Sequence, residues 1–157
     1  MSIDDFKGLM DGFEPASLLP ELGPIFEKIA SAARIVVLIG PVALLLMGLL
    51  YLFASPKEAN NYVGYRCYYG MGSVEAWRFS QRLAGIVWSS LGLSLGVVML
   101  VISGGFAGMD TMNLLWKVVY CVAAEAILTA LACIAVNAVV AIRFDSKGNE
   151  RRKKVRR

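Results

Sequence analysis

The sequence predicts an all-α integral membrane protein with three transmembrane helices and an N-terminal interfacial helix. The first observation behind this is composition. Hydrophobic residues make up 57% of the 157-residue chain and charged residues only 18%, with a mean hydropathy of +0.61, whereas a soluble domain carries about 25% charged residues. The second is that the apolar residues gather into three runs, about Ile35 to Ala54, Leu83 to Ser103 and Trp116 to Ile142. Each meets the roughly 20 residues that a helix needs to cross about 30 Å of hydrocarbon. The third is that the runs are continuously apolar, which excludes the short alternating segments of a membrane β-barrel.

The chain divides into residues 1–34, 35–142 and 143–157. In the first part Pro15, Pro20 and Pro24 cut the sequence into short pieces. Only Pro24 to Arg34 reads as helix, with Pro24 in the first turn and Ile25, Phe26 and Ile29 on one side; this is the interfacial helix. The first apolar run begins late, after an acid-rich stretch, so a retained N-terminus is expected and not a cleaved signal peptide. Gly40-Pro41 lies early in the first span, where proline removes a backbone donor and tends to kink a helix.

The second helix is expected to begin ahead of its apolar run, because Ser73 suits an N-cap and Val74 to Arg82 contains no breaker. Gly85, Ser89, Gly92 and Gly96 then place small residues on one face, where another helix backbone can approach closely. Gly104 to Leu115 is a short turn. The third helix carries Cys121, Glu125, Thr129, Cys133 and Asn137 in an i, i+4 row. Glu125 stands about 13 Å in from Trp116, near mid-membrane. A carboxyl there costs about 2.5 to 3.5 kcal/mol on insertion scales for Asp, so it calls for a polar partner, a water-filled cavity or protonation. Glu125, Thr129 and Asn137 are therefore the intramembrane polar candidates, either as a proton or ligand site or as a helix-packing hydrogen bond.

Orientation follows from lysine and arginine, which are retained on the cytoplasmic side. The first connection and the tail from Arg143 together hold twelve of the sixteen, including Lys57, Arg66, Arg78 and Arg82. The other side has Lys7, Lys28, Arg34 and Lys117. The acidic N-terminal segment, with Asp4, Asp5, Asp11, Glu14, Glu21 and Glu27, is placed outside, and the basic tail in the cytoplasm. Six positive charges in the last seven residues follow a span so closely that anionic lipid, and not nucleic acid, is the expected contact. Cys67, Cys121 and Cys133 offer no disulfide: Cys67 lies on the reducing side, and the other two are about 18 Å apart along one helix. With no histidine and no paired-cysteine motif, no metal site or cofactor is expected, and no nucleophile-and-base pair marks an enzyme.

The first connection holds the most informative stretch, residues 60–82. Asn60 stands four residues before Gly64, Tyr65 and Arg66 follow, Ser73 and Glu75 come next, and Trp77 lies thirteen residues after the glycine, with Arg82 opening the span. On physical grounds Gly64 permits a tight turn and Arg66 can pair with Glu75 or with lipid phosphate. Ser73 caps the helix and Glu75 suits its dipole. Tyr62, Tyr65, Tyr68, Tyr69 and Trp77 belong at headgroup level. This arrangement serves equally as a hairpin that seats the second helix or as a docking surface anchored by Arg66, Glu75 and Trp77.

The pattern resembles the signature of the SdpI family, bacterial membrane proteins named for an immunity protein against a secreted killing peptide. Cys67 stands where that family commonly has threonine, and the founding immunity protein has more spans than the three here. The resemblance implies a non-enzymatic protein of a bacterial cell membrane, of the immunity and signal-transduction class, that binds a toxin peptide or partner protein. A homo-oligomer would restore the number of spans. The alternative is a small proton-coupled transporter, or an accessory subunit of a membrane complex, with Glu125 carrying the proton.

Overall fold

The computed structural model describes residues 19–59 and 62–151, and side chains from 25 onward except 26. The acidic residues of 1–18, Asn60 and the basic residues 152–157 lie outside the described residues. The fold is three long helices in antiparallel succession, α1 (Leu19–Phe53), α2 (Val74–Gly104) and α3 (Thr111–Arg143). Among the described residues there is no strand, only one antiparallel bridge between Phe144 and Glu150.

Each expected span lies inside one helix. The apolar parts of Glu27–Phe53, Val74–Gly104 and Thr111–Arg143 reach mean hydropathies of 2.7, 2.1 and 2.2, long and apolar enough to cross a bilayer. The protein is a multi-pass membrane protein. Helix extends past the apolar runs in both directions: α1 runs unbroken through Pro24–Arg34 into the span, and α3 begins at Thr111, because Asp110 caps it by accepting from the Met112 amide. α2 starts at Val74 as expected, with Ser73 in extended geometry accepting from the Ala76 amide at 3.1 Å.

α1 and α2 form the close seam of the bundle. A Cβ placed on Gly92 would stand 2.5 Å from the Leu45 amide nitrogen and 2.7 Å from the Pro41 carbonyl oxygen. One on Gly48 of α1 would run into the Ser89 backbone, and one on Gly85 would meet Leu52. The small residues of the two helices are thus reciprocal: each glycine admits the backbone of the other helix, the device that replaces the hydrophobic effect in lipid. Gly40-Pro41 does not end the helix. Pro41 is fully buried against α2.

Two buried clusters flank this seam. Toward one end Val37, Leu95, Met99, Phe106, Leu114 and Cys121 pack together, and Arg34 Nε donates to the Ser103 carbonyl at 3.1 Å, closing the end of α2. At the other end, where α1 closes, α2 opens and α3 closes, Tyr51, Tyr65, Ala76, Ala84, Val140 and Phe144 pack. This second end carries the 60–82 stretch and is called the motif end below.

Gly92→Ala is expected to lower stability in detergent by about 1–3 kcal/mol, the usual range for overpacking against groups that cannot yield. Gly96→Ala should be neutral, since its added methyl would find only Pro41 Cβ at 3.8 Å. Thermal unfolding of the two variants in one detergent checks the contrast, and equal midpoints would refute the seam.

Candidate functional site

The connection between α1 and α2 folds back into the bundle. Gly64 has φ +118°, a left-handed conformation that costs glycine little, and a Cβ there would stand 2.6 Å from the Trp77 ring. The chain then turns inward at Tyr65. The Gln81 amide holds both backbone groups of that residue: the Tyr65 N–H donates to Gln81 Oε1, and Gln81 Nε2 donates to the Tyr65 carbonyl, each at 2.7 Å. Gln81 is 1% exposed, so losing this amide would strand two buried backbone groups, at about 1–3 kcal/mol apiece.

Held this way, the Tyr65 ring enters the space between all three helices. It meets Trp88 edge-on at 5.5 Å and Tyr51 at 6.2 Å between centroids, and its hydroxyl donates to Asn137 Oδ1 at 2.9 Å. Burial pushes its phenol up to about 12, with the nearby Cys133 and Cys67 thiols adding to the rise, so it stays neutral and keeps its proton for Asn137. Burial likewise raises the Cys67 thiol, which makes that cysteine a poor nucleophile. All three cysteines are free.

Of the two roles open to Trp77, hairpin or docking anchor, its burial fits the hairpin alone: the ring is 0% exposed and its Nε1 donates to the Pro56 carbonyl at 2.9 Å. The reason is Gly64: the missing side chain lets the connection lie directly on the indole. Tyr65 is buried in the same sense. Arg66 and Glu75 are both exposed and form no ion pair; the one ion pair among the described residues is Arg143 with Glu150 at 2.9 Å. The motif therefore has two faces. Gly64, Tyr65, Ser73 and Trp77 build the hairpin, while Arg66, Tyr68 (75% exposed), Glu75 and Arg82 look outward.

The first residues after α3 complete this end. Phe144 is fully buried and packs on Phe79 at 5.5 Å, and the Arg143 guanidinium lies 4.4 Å over the Phe79 ring. Asp145 accepts from the backbone N–H groups of Lys147 and Asn149, which forms a turn with Gly148 at φ +76°. The backbone bond from Asn149 is the main cause that holds the Asp145 carboxyl below its usual range. Ser73 Oγ, besides capping α2, donates to the Gly148 carbonyl at 2.7 Å. Residues 143–151 are thus part of the fold, where the sequence reading made them a free tail. Asp145 and Gly148 three residues apart are a turn signal that the charge run nearby obscured.

The intramembrane candidates separate. Asn137 belongs to the motif end through Tyr65. Glu125, 6% exposed, lies in the middle of α3 against Gly40 of α1, where any Cβ would collide with its Oε2. Thr129 donates to the Glu125 carbonyl at 2.7 Å, a bond within one helix. Glu125 Oε1 has no partner among the described residues, and a cleft of about 500 Å³ runs beside it along Leu44, Val122, Thr129 and Cys133. Gln81, Phe144 and Gly148 are the structural residues that the sequence reading missed. Gln81 was the findable one, since it shares the i, i+4 face of Trp77.

A family model described as the SdpI/YfhL protein family matches residues 57–142, more than half of the chain. Neither a curated protein nor a solved structure matches it.

Proposed function

The chain belongs to the SdpI/YfhL protein family, and on that footing we propose that it is a non-enzymatic membrane protein of the immunity and signal-transduction class. It binds a toxin peptide or partner protein, with Arg66, Tyr68 and Glu75 of the motif end as contacts. The observation that supports this is the division of the motif into a buried scaffold and an exposed face. Gly64, Tyr65, Ser73 and Trp77 make the contacts that hold the hairpin, and Arg66 and Tyr68 stand exposed beside them. An arginine and an aromatic ring on a rigid loop are the residue types that carry binding energy at protein interfaces. The setting is a bacterial cell membrane with the motif end in the cytoplasm, as the basic residues there imply. Association of copies would add spans to the three of one chain.

Arg66→Ala should reach normal levels in the membrane and lose partner, because an exposed side chain without a bonded neighbour contributes within about ±0.5 kcal/mol to stability. Trp77→Ala should lower the amount of folded protein while leaving partner bound per folded molecule unchanged. The two are compared by membrane yield and by co-purified partner from detergent. Unchanged binding by Arg66→Ala sinks the docking reading.

Orientation is read by labelling with an impermeant thiol reagent in intact cells. Cys67 is a poor reporter because it is buried, so the exposed positions Tyr68→Cys and Ala107→Cys are used. Ala107→Cys should label and Tyr68→Cys should not; the reverse would invert the assignment of sides.

The second reading, a small proton-coupled transporter or accessory subunit, draws on Glu125 and its unpartnered Oε1 beside the cleft. Glu125→Gln preserves shape and hydrogen bonding, and should fold and insert normally. Under the docking reading it also keeps its partner and shows the same proton-gradient-dependent uptake in vesicles as the wild type. Loss of such uptake would move the assignment to transport.

A further inference from the structure

At the motif end a cleft of about 720 Å³ opens between the three helices. Its rim carries Lys57 from the connection, Arg78 and Arg82 from α2, and Arg143 from the end of α3. Glu75 is the one carboxylate among its lining residues and Arg143 is paired with Glu150, so Lys57, Arg78 and Arg82 are left facing one anion. Its inner wall is apolar and aromatic, formed by Leu52, Tyr51, Phe79 and Phe144. Phe53, which follows Leu52 as the last residue of α1, is 84% exposed. The cleft thus has a cationic mouth at the level where the helices leave the hydrocarbon and an apolar side that continues toward it.

Helix dipoles do not supply this field. α2 presents its N-terminus here, but α1 and α3 end here, and each terminus is worth roughly half a charge; the three leave a small negative balance against the side-chain cations. Two of the cations are held in place: Arg78 Nε donates to the Lys57 carbonyl at 3.4 Å, and Arg143 is fixed by Glu150 and the Phe79 ring. Arg82 and Lys57 remain exposed to a ligand.

We propose that this cleft binds the phosphate headgroup of an anionic phospholipid, with Lys57, Arg78 and Arg82 on the phosphate and one acyl chain passing along Leu52 and Phe53. Basic pockets between helices at the cytoplasmic surface recognise lipid phosphates in this way. The site borders the docking face, sharing Glu75 and Arg82 with the outward side of the motif, but contains neither Arg66 nor Tyr68 and none of the basic residues 152–157.

The test uses the full chain in detergent, titrated with phosphatidylglycerol or phosphatidylcholine, with bound lipid counted by native mass spectrometry. Phosphatidylglycerol should be retained in preference. Lys57→Gln and Arg82→Gln, both at exposed positions and checked for unchanged unfolding without lipid, should each weaken retention roughly fivefold, the effect of about 1 kcal/mol per basic residue at a lipid surface. Replacing Arg152, Lys153, Lys154, Arg156 and Arg157 by glutamine should leave a preference for phosphatidylglycerol in place, because the lipid contact of these residues lies outside the cleft. Equal retention of the two lipids, unaltered retention in both cleft variants, or loss confined to the variant of residues 152–157 would each overturn the site. Displacement of the lipid by millimolar inorganic phosphate would also overturn it, assigning the cleft to a soluble phosphate.

Discussion

The side-chain amide of Gln81 accepts from the N–H of Tyr65 and donates to its carbonyl, and the motif end is organised around that pair of hydrogen bonds. A non-helical segment buried among helices has no water to satisfy its backbone, so the protein must do it. With the Tyr65 backbone matched by Gln81, its ring can go where a polar loop otherwise cannot, between α1, α2 and α3. The rest follows geometrically. Gly64 must lack a side chain because Trp77 lies beneath it, and the Tyr65 hydroxyl reaches Asn137, which ties the third helix to the loop between the first two.

The three helices were legible because lipid imposes a length and a composition that nothing else in the sequence imitates. The seam was legible for a related reason: Gly85, Ser89 and Gly92, though not Gly96, serve helices that gain nothing from burying leucine against leucine. What escaped was the direction of the motif. Tyrosine and tryptophan beside a span fit a headgroup belt equally well as a buried plug, and only the contact across Gly64 decides between them. The turn at Asp145 to Gly148 escaped because the surrounding charges describe a solvated tail, whereas Phe144 and Ser73 anchor it from elsewhere in the chain. Arg66 in the connection and Glu75 in the first turn of α2 are opposite charges, but each is exposed and they form no ion pair. Glu125 was found by its rarity; its seat against Gly40 could not be read, since nothing local links residue 40 to residue 125.

Polarity in the bundle is distributed by depth. Near the end opposite the motif Arg34 caps the carbonyl end of α2; in the middle Glu125 rests on Gly40; at the motif end the cations outnumber the carboxylates. The closely fitted seam joins α1 to α2 alone. α3 is attached at separated points, through Leu114 and Cys121 at one end, Glu125 in the middle, and Asn137, Val140 and Phe144 at the other. It keeps most of its apolar surface outward, as a lipid-facing helix does.

The Ser73 hydroxyl donates to a carbonyl seventy-five residues later in the chain, and this has a consequence for biogenesis. The first two helices can insert and meet along their glycines as soon as both have been synthesised. The loop between them cannot take its final form until α3 has crossed and residue 148 has been made, because contacts of such separation wait for the intervening chain. The bonds of Tyr65 with Gln81 and of Trp77 with Pro56 need only α1, α2 and the connection, whereas those of Tyr65 with Asn137 and of Ser73 with Gly148 come last. The closing of the motif end is thus timed by the length of the chain between Ser73 and Gly148.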